Sequence, residues 1–438
     1  MTASNPPETR PLLGRLIDTK PGELGPVLWA SAYFFAILAS YFILRPIRDE
    51  AGIAGGIKNL PWLFTGTMIA MLVVSPSFAA LVARLPRKKF IPIAYRFFLV
   101  NLLVFYGLFT MVPEGQQVWV GRAFYIWTSV FNLFVVSVFW GFMADAFRSE
   151  QGKRLFGFIG VGGTLGSIVG AAITASLVKV VGTAGLLLIS AALLEVAVQC
   201  VRRLARLFQE GGEGRTAIPE EAPIGGGVLA GISHVVQSPY LLGICGYMLL
   251  YTIGSTFLYF QQAHIVEGAY TDRAARTALF AQIDLAVNIL TVLVQALLTG
   301  RLMKRLGIAA MLTIVPAISV AGFLGVALVP TVTVLIGFLV LRRAGNFAVA
   351  RPSREVLYTV VSREDKYKAK SFIDTFVYRL GDQIGAWADP VLASLGLGMA
   401  GVALVAAPLA GLWLLVGLWL GRRQVVLSTR DPALGARP

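Results

Sequence analysis

An all-α polytopic membrane protein, with twelve transmembrane helices in two pseudo-symmetric six-helix halves, is the fold class this 438-residue sequence predicts. Three observations carry it. Hydrophobic residues make up 56% of the chain and charged residues only 14%, where a soluble domain carries about a quarter charged residues. The basic residues are gathered in alternate connections between apolar runs. Short segments recur in the second half at offsets of 215 and 217 residues.

The apolar excess comes first. A chain with mean hydropathy +0.73 cannot hide its surface in water, so a lipid bilayer is its solvent. The formal charge of +15 suggests nucleic acid in a soluble protein, but its distribution argues against that partner. Of 38 Lys and Arg residues, 25 fall within Arg10–Lys20, Arg84–Lys89, Arg148–Arg154, Arg202–Arg215, Arg301–Arg305, Arg363–Lys370 and the tail. That alternation is the positive-inside pattern and predicts cytoplasmic termini. Two cysteines, Cys200 and Cys245, and two histidines, His234 and His264, are too few for a disulfide framework, a zinc site or a histidine-based triad. No metal or cofactor is implied, and the chain is not expected to be an enzyme.

Residues 1–25 are polar and hold no apolar stretch with a cleavage site, so no removable signal peptide is expected. Leu12, Leu13, Leu16 and Ile17 suit one short helix on the inner surface. The first span opens at Pro26 and runs through Trp29, Tyr33, Phe34, Phe35, Ile37, Leu38, Phe42 and Leu44 without a charge before Arg45, long enough to cross a bilayer. Apolar runs between breakers place further spans near 61, 90, 119, 155 and 183. Gly211, Gly212, Gly214, Pro219, Glu220, Glu221 and Pro223 then mark a linker, and the second set begins near 239, 273, 307, 331, 371 and 399. The predicted organisation is an N-terminal cytoplasmic segment 1–25, a six-helix bundle 26–206, a cytoplasmic linker 207–238, a second bundle 239–421 and a cytoplasmic tail 422–438.

The repeat supports the division into halves. Ala83–Lys88 aligns with Gly300–Arg305, each following a second helix and preceding a third. Lys153, Leu165, Gly166, Gly170 and Ala171 align with Lys368, Leu380, Gly381, Gly385 and Ala386. Two parallel halves with basic second-to-third connections are a major-facilitator-like layout, with its substrate site at midplane depth. The glycines, including the run Gly157, Gly160, Gly162 and Gly163, lie inside spans rather than after a strand, so they read as helix packing and not as a nucleotide loop.

Charges at membrane depth are functional-site hypotheses. Arg45 and Arg48, three apart, project from one side of the first span and suit a single anionic group. In the tenth span Arg342, Arg343, Arg351, Arg354 and Glu355 reach membrane depth if the repeat holds. By helical spacing Arg343, Asn346 and Arg354 share a stripe, and Arg351 pairs with Glu355 at i, i+4. Pro352 is expected to break the backbone and free carbonyls toward a wet cavity; alternatively the helix ends at Ala350 and Arg351 and Arg354 anchor at the inner surface. Asp284, with Asn288 one turn on, suits proton transfer or an arginine pair. Arg379 and Asp382 are three apart and can satisfy each other, Glu195 has no evident partner, and Arg96 is within snorkelling reach of the Lys88–Lys89 face.

Three groups of residues resemble the ATP/ADP (nucleotide) translocases of plastids and intracellular bacteria and their free-living bacterial relatives. They are Ile43–Asp49; Phe139-Trp140-Gly141-Phe142 with Lys153–Phe156; and Pro352-Ser353-Arg354-Glu355 with Tyr358, Lys368–Lys370, Ile373-Asp374 and Arg379-Leu380-Gly381. The resemblance implies a twelve-helix nucleotide exchanger in a bacterial inner membrane. In it basic residues of the first and tenth helices contact phosphates, and Arg48 and Arg354 are the matching positions, each Arg where the family has Lys. An acid of the family's fourth helix falls at Thr128, and the aspartate before its tenth-helix proline falls at Arg351.

The sequence therefore predicts a secondary active transporter working by alternating access and functional as a monomer. Its anionic small-molecule substrate, most simply a nucleotide, is bound by Arg45, Arg48, Arg343, Asn346, Arg351, Arg354, Glu355 and Arg379. The alternative is proton-coupled transport of another organic anion, a sugar phosphate or carboxylate, with Asp145, Asp284 or Asp382 as the proton site.

Overall fold

The computed structural model describes residues 20, 22–84, 87–147, 149–210, 235–362, 369–370 and 372–430. The surface helix expected at Leu12–Ile17, most of the linker and the basic residues 363–368 lie outside them. Every regular element among the described residues is helical: α1 (Leu24–Ala54), α2 (Leu60–Arg84), α3 (Arg87–Met111), α4 (Glu114–Ala146), α5 (Ser149–Glu210), α6 (Pro239–Ala269), α7 (Arg273–Val294), α8 (Gly300–Leu328), α9 (Val332–Gly345), α10 (Arg351–Leu357), α11 (Tyr378–Ser394) and α12 (Met399–Arg430), with short 3-10 and π turns between some of them.

Nine helical runs among these residues are long and apolar enough to cross a membrane. Two of them, Arg154–Phe208 and Arg273–Leu328, are of double length. Each turns at a glycine in the left-handed region, Gly182 (φ +67°) and Gly307 (φ +72°), where a Cβ would be strained. These turns coincide with the span starts read from the sequence near 183 and 307. The segment containing α11 is amphipathic, carrying Arg379, Asp382 and Asp389. The last helix continues to Arg430, past residue 421 where the sequence reading ends its bundle.

By contacts the chain forms two compact units. Unit 1 holds residues 1–48, 71–120 and 127–219, and unit 2 holds 49–70, 121–126 and 220–438. This differs from a cut in the linker, because the end of α1 and the start of α2 are tied to α6, α7 and α11. Glu50 is buried and accepts from Arg273 Nε at 3.0 Å and Nη2 at 3.2 Å. Tyr259 donates to Asp49 at 3.2 Å, Thr65 to Gln383 at 2.9 Å, and Trp387 Nε1 to Thr65 at 3.1 Å.

In unit 1, α5 lies against the backbone of α1. A Cβ on Gly166 would stand 2.2 Å from the Phe35 carbonyl oxygen, and one on Gly170 2.4 Å from that of Ala39. Phe34 stacks on Phe139 with ring centres 4.1 Å apart, and Tyr33 donates to Tyr95, which donates to the Val135 carbonyl. Glu195 does have a partner, for Arg96 Nη2 reaches it at 2.8 Å. Arg96 thus pairs across α3 and α5 instead of extending to the Lys88–Lys89 face, because a carboxylate within reach stabilises a guanidinium more than a longer path to the surface does.

Unit 2 repeats the close approach. A Cβ on Gly381 would meet Thr252 Oγ1 at 1.8 Å, and one on Gly385 would meet Thr256 Cβ at 2.7 Å, with the Leu249 and Ile253 carbonyls 3.2 Å away. In both halves, then, small residues four apart fit against carbonyls four apart on the first helix of that half. The duplicated glycines read from sequence are this contact.

Glu23, just ahead of α1, ties that helix to the start of α5. Burial raises its pKa, but the Lys20 backbone N–H at 2.9 Å, Gln151 at 2.8 Å and Arg154 at 3.1 Å outweigh burial and leave the carboxyl below its ordinary value. A carboxylate with a lowered folded pKa contributes stability above its unfolded value, and that contribution is lost as pH falls through the folded value. Glu23→Gln should therefore lower the unfolding temperature at pH 7, and the gap to wild type should close below about pH 4.5, the ordinary value. Gly166→Ala and Gly385→Val should each destabilise by about 1–3 kcal/mol through overpacking. Gly160→Ala, which meets open space, should be neutral or stabilising in the same thermal-unfolding assay.

Candidate functional site

The charged residues of the tenth span lie on one helical path in unit 2 that is not uniformly α-helical. Thr331 caps α9 by accepting from the Val334 N–H at 3.4 Å. After Gly345 the chain makes a π turn, Asn346–Ala350, and then continues as α10 through Pro352. The helix therefore neither ends at Ala350 nor breaks at the proline. The carbonyls that Pro352 and the π turn would strand are filled: Gln295 Nε2 donates to Phe347 O at 3.1 Å and Thr299 Oγ1 to Ala348 O at 2.9 Å. Both donors sit in a second π turn, Gln295–Thr299, at the end of α7. Widening two facing turns lets side chains from one complete the ladder of the other.

A π turn inserts one residue, about 100° of rotation, between Arg343 and Arg354. The single stripe expected for Arg343, Asn346 and Arg354 is accordingly divided between neighbours. Arg343 Nη2 donates to Asp284 of α7 at 2.6 Å, and Asp284 is 2% exposed. Asn346 is buried in the π turn. Arg354 turns to α6 and to the π turn Ile373–Val377: Nη1 contacts Met248 Sδ at 2.6 Å, and the Asp374 carboxylate is 3.8 Å from Nη2. The Arg354 Nε–H is buried without an acceptor among the described residues.

Other expectations divide the same way. Glu355 pairs with Lys370 at 2.5 Å rather than with Arg351, which is exposed. The i, i+4 spacing allowed the Arg351 pair, but Lys370 from the next segment reaches Glu355. Arg379 and Asp382 do satisfy each other, at 3.2 Å, and Thr256 adds a 3.4 Å hydrogen bond to Asp382. Gly385 permits that bond by bringing α11 onto α6. Asp145 is exposed at the end of α4. Arg45 and Arg48 are half-buried on α1 in unit 1, Arg45 lying 5.7 Å from the Phe42 ring centre.

The sequence marks Arg342 only as an arginine at membrane depth. It is 3% exposed, and its guanidinium is held by Ser319 Oγ at 3.0 Å, Ser255 Oγ at 2.8 Å and the Tyr251 carbonyl at 3.0 Å. The Tyr251 and Trp413 ring centres lie 5.3 and 5.7 Å from its Cζ. Among the described residues no group of three or more His, Cys, Asp or Glu could hold a metal ion.

The sequence profile described as Major Facilitator Superfamily matches residues 24–381. The chain belongs to that superfamily. Superfamily architecture also appears in solved structures, whose low identity makes the likeness one of fold. A POT family peptide transporter in an auto-inhibited state aligns with TM-score 0.61 at 14% identity, over 92% of this chain and 97% of its own. A bacterial homologue of the iron transporter ferroportin, inward-facing, gives 0.60 at 15%, over 94% and 100%. A bacterial homolog to the human lysosomal transporter Spinster, inward-facing and unoccupied, gives 0.54 at 11%, over 95% and 97%. No curated protein sequence matches the chain. The protein is a multi-pass membrane transporter of the Major Facilitator Superfamily.

In this superfamily member the Arg343–Asp284 pair is the most deeply buried ion pair of the candidate site. Removing one partner of such a pair strands a charge, at about 3–5 kcal/mol, whereas removing both is far less costly. Asp284→Asn should therefore destabilise the purified protein sharply in thermal unfolding, and adding Arg343→Met should restore most of the loss.

Proposed function

We propose that the protein is a secondary active carrier of an anionic solute, working by alternating access as a monomer, and that its cargo is a nucleotide exchanged in the manner of ATP and ADP. The reading includes twelve spanning helices, a bacterial inner membrane and cytoplasmic termini. One observation carries the anionic cargo. Arg343 and Arg379 are neutralised by carboxylates at 2.6 and 3.2 Å, but among the described residues the carboxylate paired with Arg354 is 3.8 Å away. With its Nε–H also lacking an acceptor among the described residues, Arg354 has charge and donors to offer a phosphate oxygen. It is also the position at which the resembled nucleotide carriers use a phosphate-binding base. Arg48, with Arg45 beside it, is the corresponding proposal from unit 1, and Asn346 and Arg351 are proposed as neighbours of the phosphate.

Such a site favours exchange. A permanently charged guanidinium at membrane depth is most costly when its counter-charge is absent. The empty carrier is then the unfavourable species to reorient, and bound anion removes the penalty in both directions. The second reading, proton-coupled transport of a different organic anion, is favoured by Asp284. Its burial beside Arg343 and Asn288 would let protonation release an arginine. Asp382 and Asp145 are secondary candidates.

Reconstituted vesicles test both. Labelled ATP uptake should depend on internal ADP and be lost at least tenfold in Arg354→Ala and Arg48→Ala, with sugar phosphates and carboxylates competing poorly. Wild-type uptake in both variants would remove these arginines from the site. Uptake driven by an imposed pH gradient and abolished by Asp284→Asn would favour proton coupling.

A further inference from the structure

Arg342 poses a problem that its neighbour does not. Arg343 has Asp284, but no carboxylate lies within ion-pair distance of Arg342 among the described residues, although it is the more deeply buried of the two. Its three hydrogen-bonding partners are neutral. The hydroxyls that accept from it spend their own protons on helix carbonyls, Ser319 on Val315 O at 2.8 Å and Ser255 on Tyr251 O at 2.9 Å. Of five guanidinium N–H groups, three are engaged. The Tyr251 and Trp413 rings offset part of the charge, but a full positive charge at this depth is left without its counter-charge.

A second orphan lies beside it. Trp413 is 1% exposed, and its indole N–H has no acceptor among the described residues. Arg342 and Trp413 line the same small void, about 10 Å³ in volume, with Ser319, Gly254, Phe323 and Ala410 among its other walls. The room inside for a free particle is about that of one water. Phosphate or a carboxylate solute is therefore too large for it.

A water would accept from the donors but leave the charge in place and bring two protons into a largely apolar wall. A small anion would supply both the acceptor and the missing charge. We propose that this void, bounded by α6, α8, α9 and α12, binds one monatomic anion of chloride size, held by the Arg342 guanidinium and the Trp413 indole N–H. The site is distinct from the Arg354 position proposed for the carried solute, and occupancy would stabilise the packing of unit 2 whichever cargo is moved.

Bromide serves as the probe. The full-length wild type, in detergent, should show a saturable rise in unfolding temperature when sodium gluconate is replaced by sodium bromide at constant ionic strength. Trp413→Phe keeps a ring over Arg342 but removes the donor, and should raise the half-saturating bromide concentration roughly tenfold, the loss of one charge-assisted hydrogen bond. Trp387→Phe should leave it unchanged. Crystals of wild type grown in bromide should show anomalous density in contact with Arg342 and Trp413. Superimposable unfolding curves in gluconate and bromide, an unchanged half-saturation in Trp413→Phe, or bromide-grown crystals without density at the void would each overturn the proposal.

Discussion

A guanidinium cannot shed its charge by losing a proton, so every arginine within the apolar helices needs another remedy. The protein uses three. Arg96, Arg343 and Arg379 take carboxylates from neighbouring helices or their own. Arg342 takes hydroxyls, a carbonyl and two ring faces. Arg354 has a sulfur contact and a more distant carboxylate. The degree of compensation separates roles that residue identity alone does not: a tightly paired arginine holds helices together, whereas an incompletely paired one retains affinity for an anion.

The second constraint is the backbone, whose polar groups must be satisfied internally in lipid. It explains why irregular turns coincide with the charged segment. Pro352 removes a donor, the π turn before it shifts the ladder, and Gln295 and Thr299 supply the hydrogen bonds that are lost. The same economy governs the glycines. Gly385 brings α11 close enough to α6 for Thr256 to reach Asp382, so a packing residue positions part of the charged site. The equivalent approach of Gly166 and Gly170 to α1 shows one packing solution used twice along the chain.

These constraints also decide what was legible in the sequence. Spans were legible because apolar length is a local property, as were the turns near 183 and 307 because glycine marks them. The duplicated Gly-xxx-Gly pairs read correctly as packing, since their spacing is a helical period. Side-chain partners were legible only within a turn, as with Arg379 and Asp382. Arg96 and Glu195 lie on different helices, as do Glu50 and Arg273, and no spacing rule connects them. The stripe through Arg343, Asn346 and Arg354 failed for a different reason: it assumed 3.6 residues per turn across a π turn. Arg351 failed as a partner for Glu355 because Lys370, from the next segment, competes for the same carboxylate.

The position of neutralised and unneutralised charge bears directly on the energetics of transport. In the proton-coupled reading proposed above, proton binding that separated Arg343 from Asp284 would leave the guanidinium in demand of one negative charge. In the exchange reading the demand at Arg354, met only in part by Asp374 at 3.8 Å, exists without any proton, and an anion arriving there would lower the cost of the empty state. A carrier using only the second arrangement is driven to exchange one anion for another. One using the first moves anion with proton, and the two arrangements, at Arg343 and Arg354, stand about three helical turns apart on the same helical path.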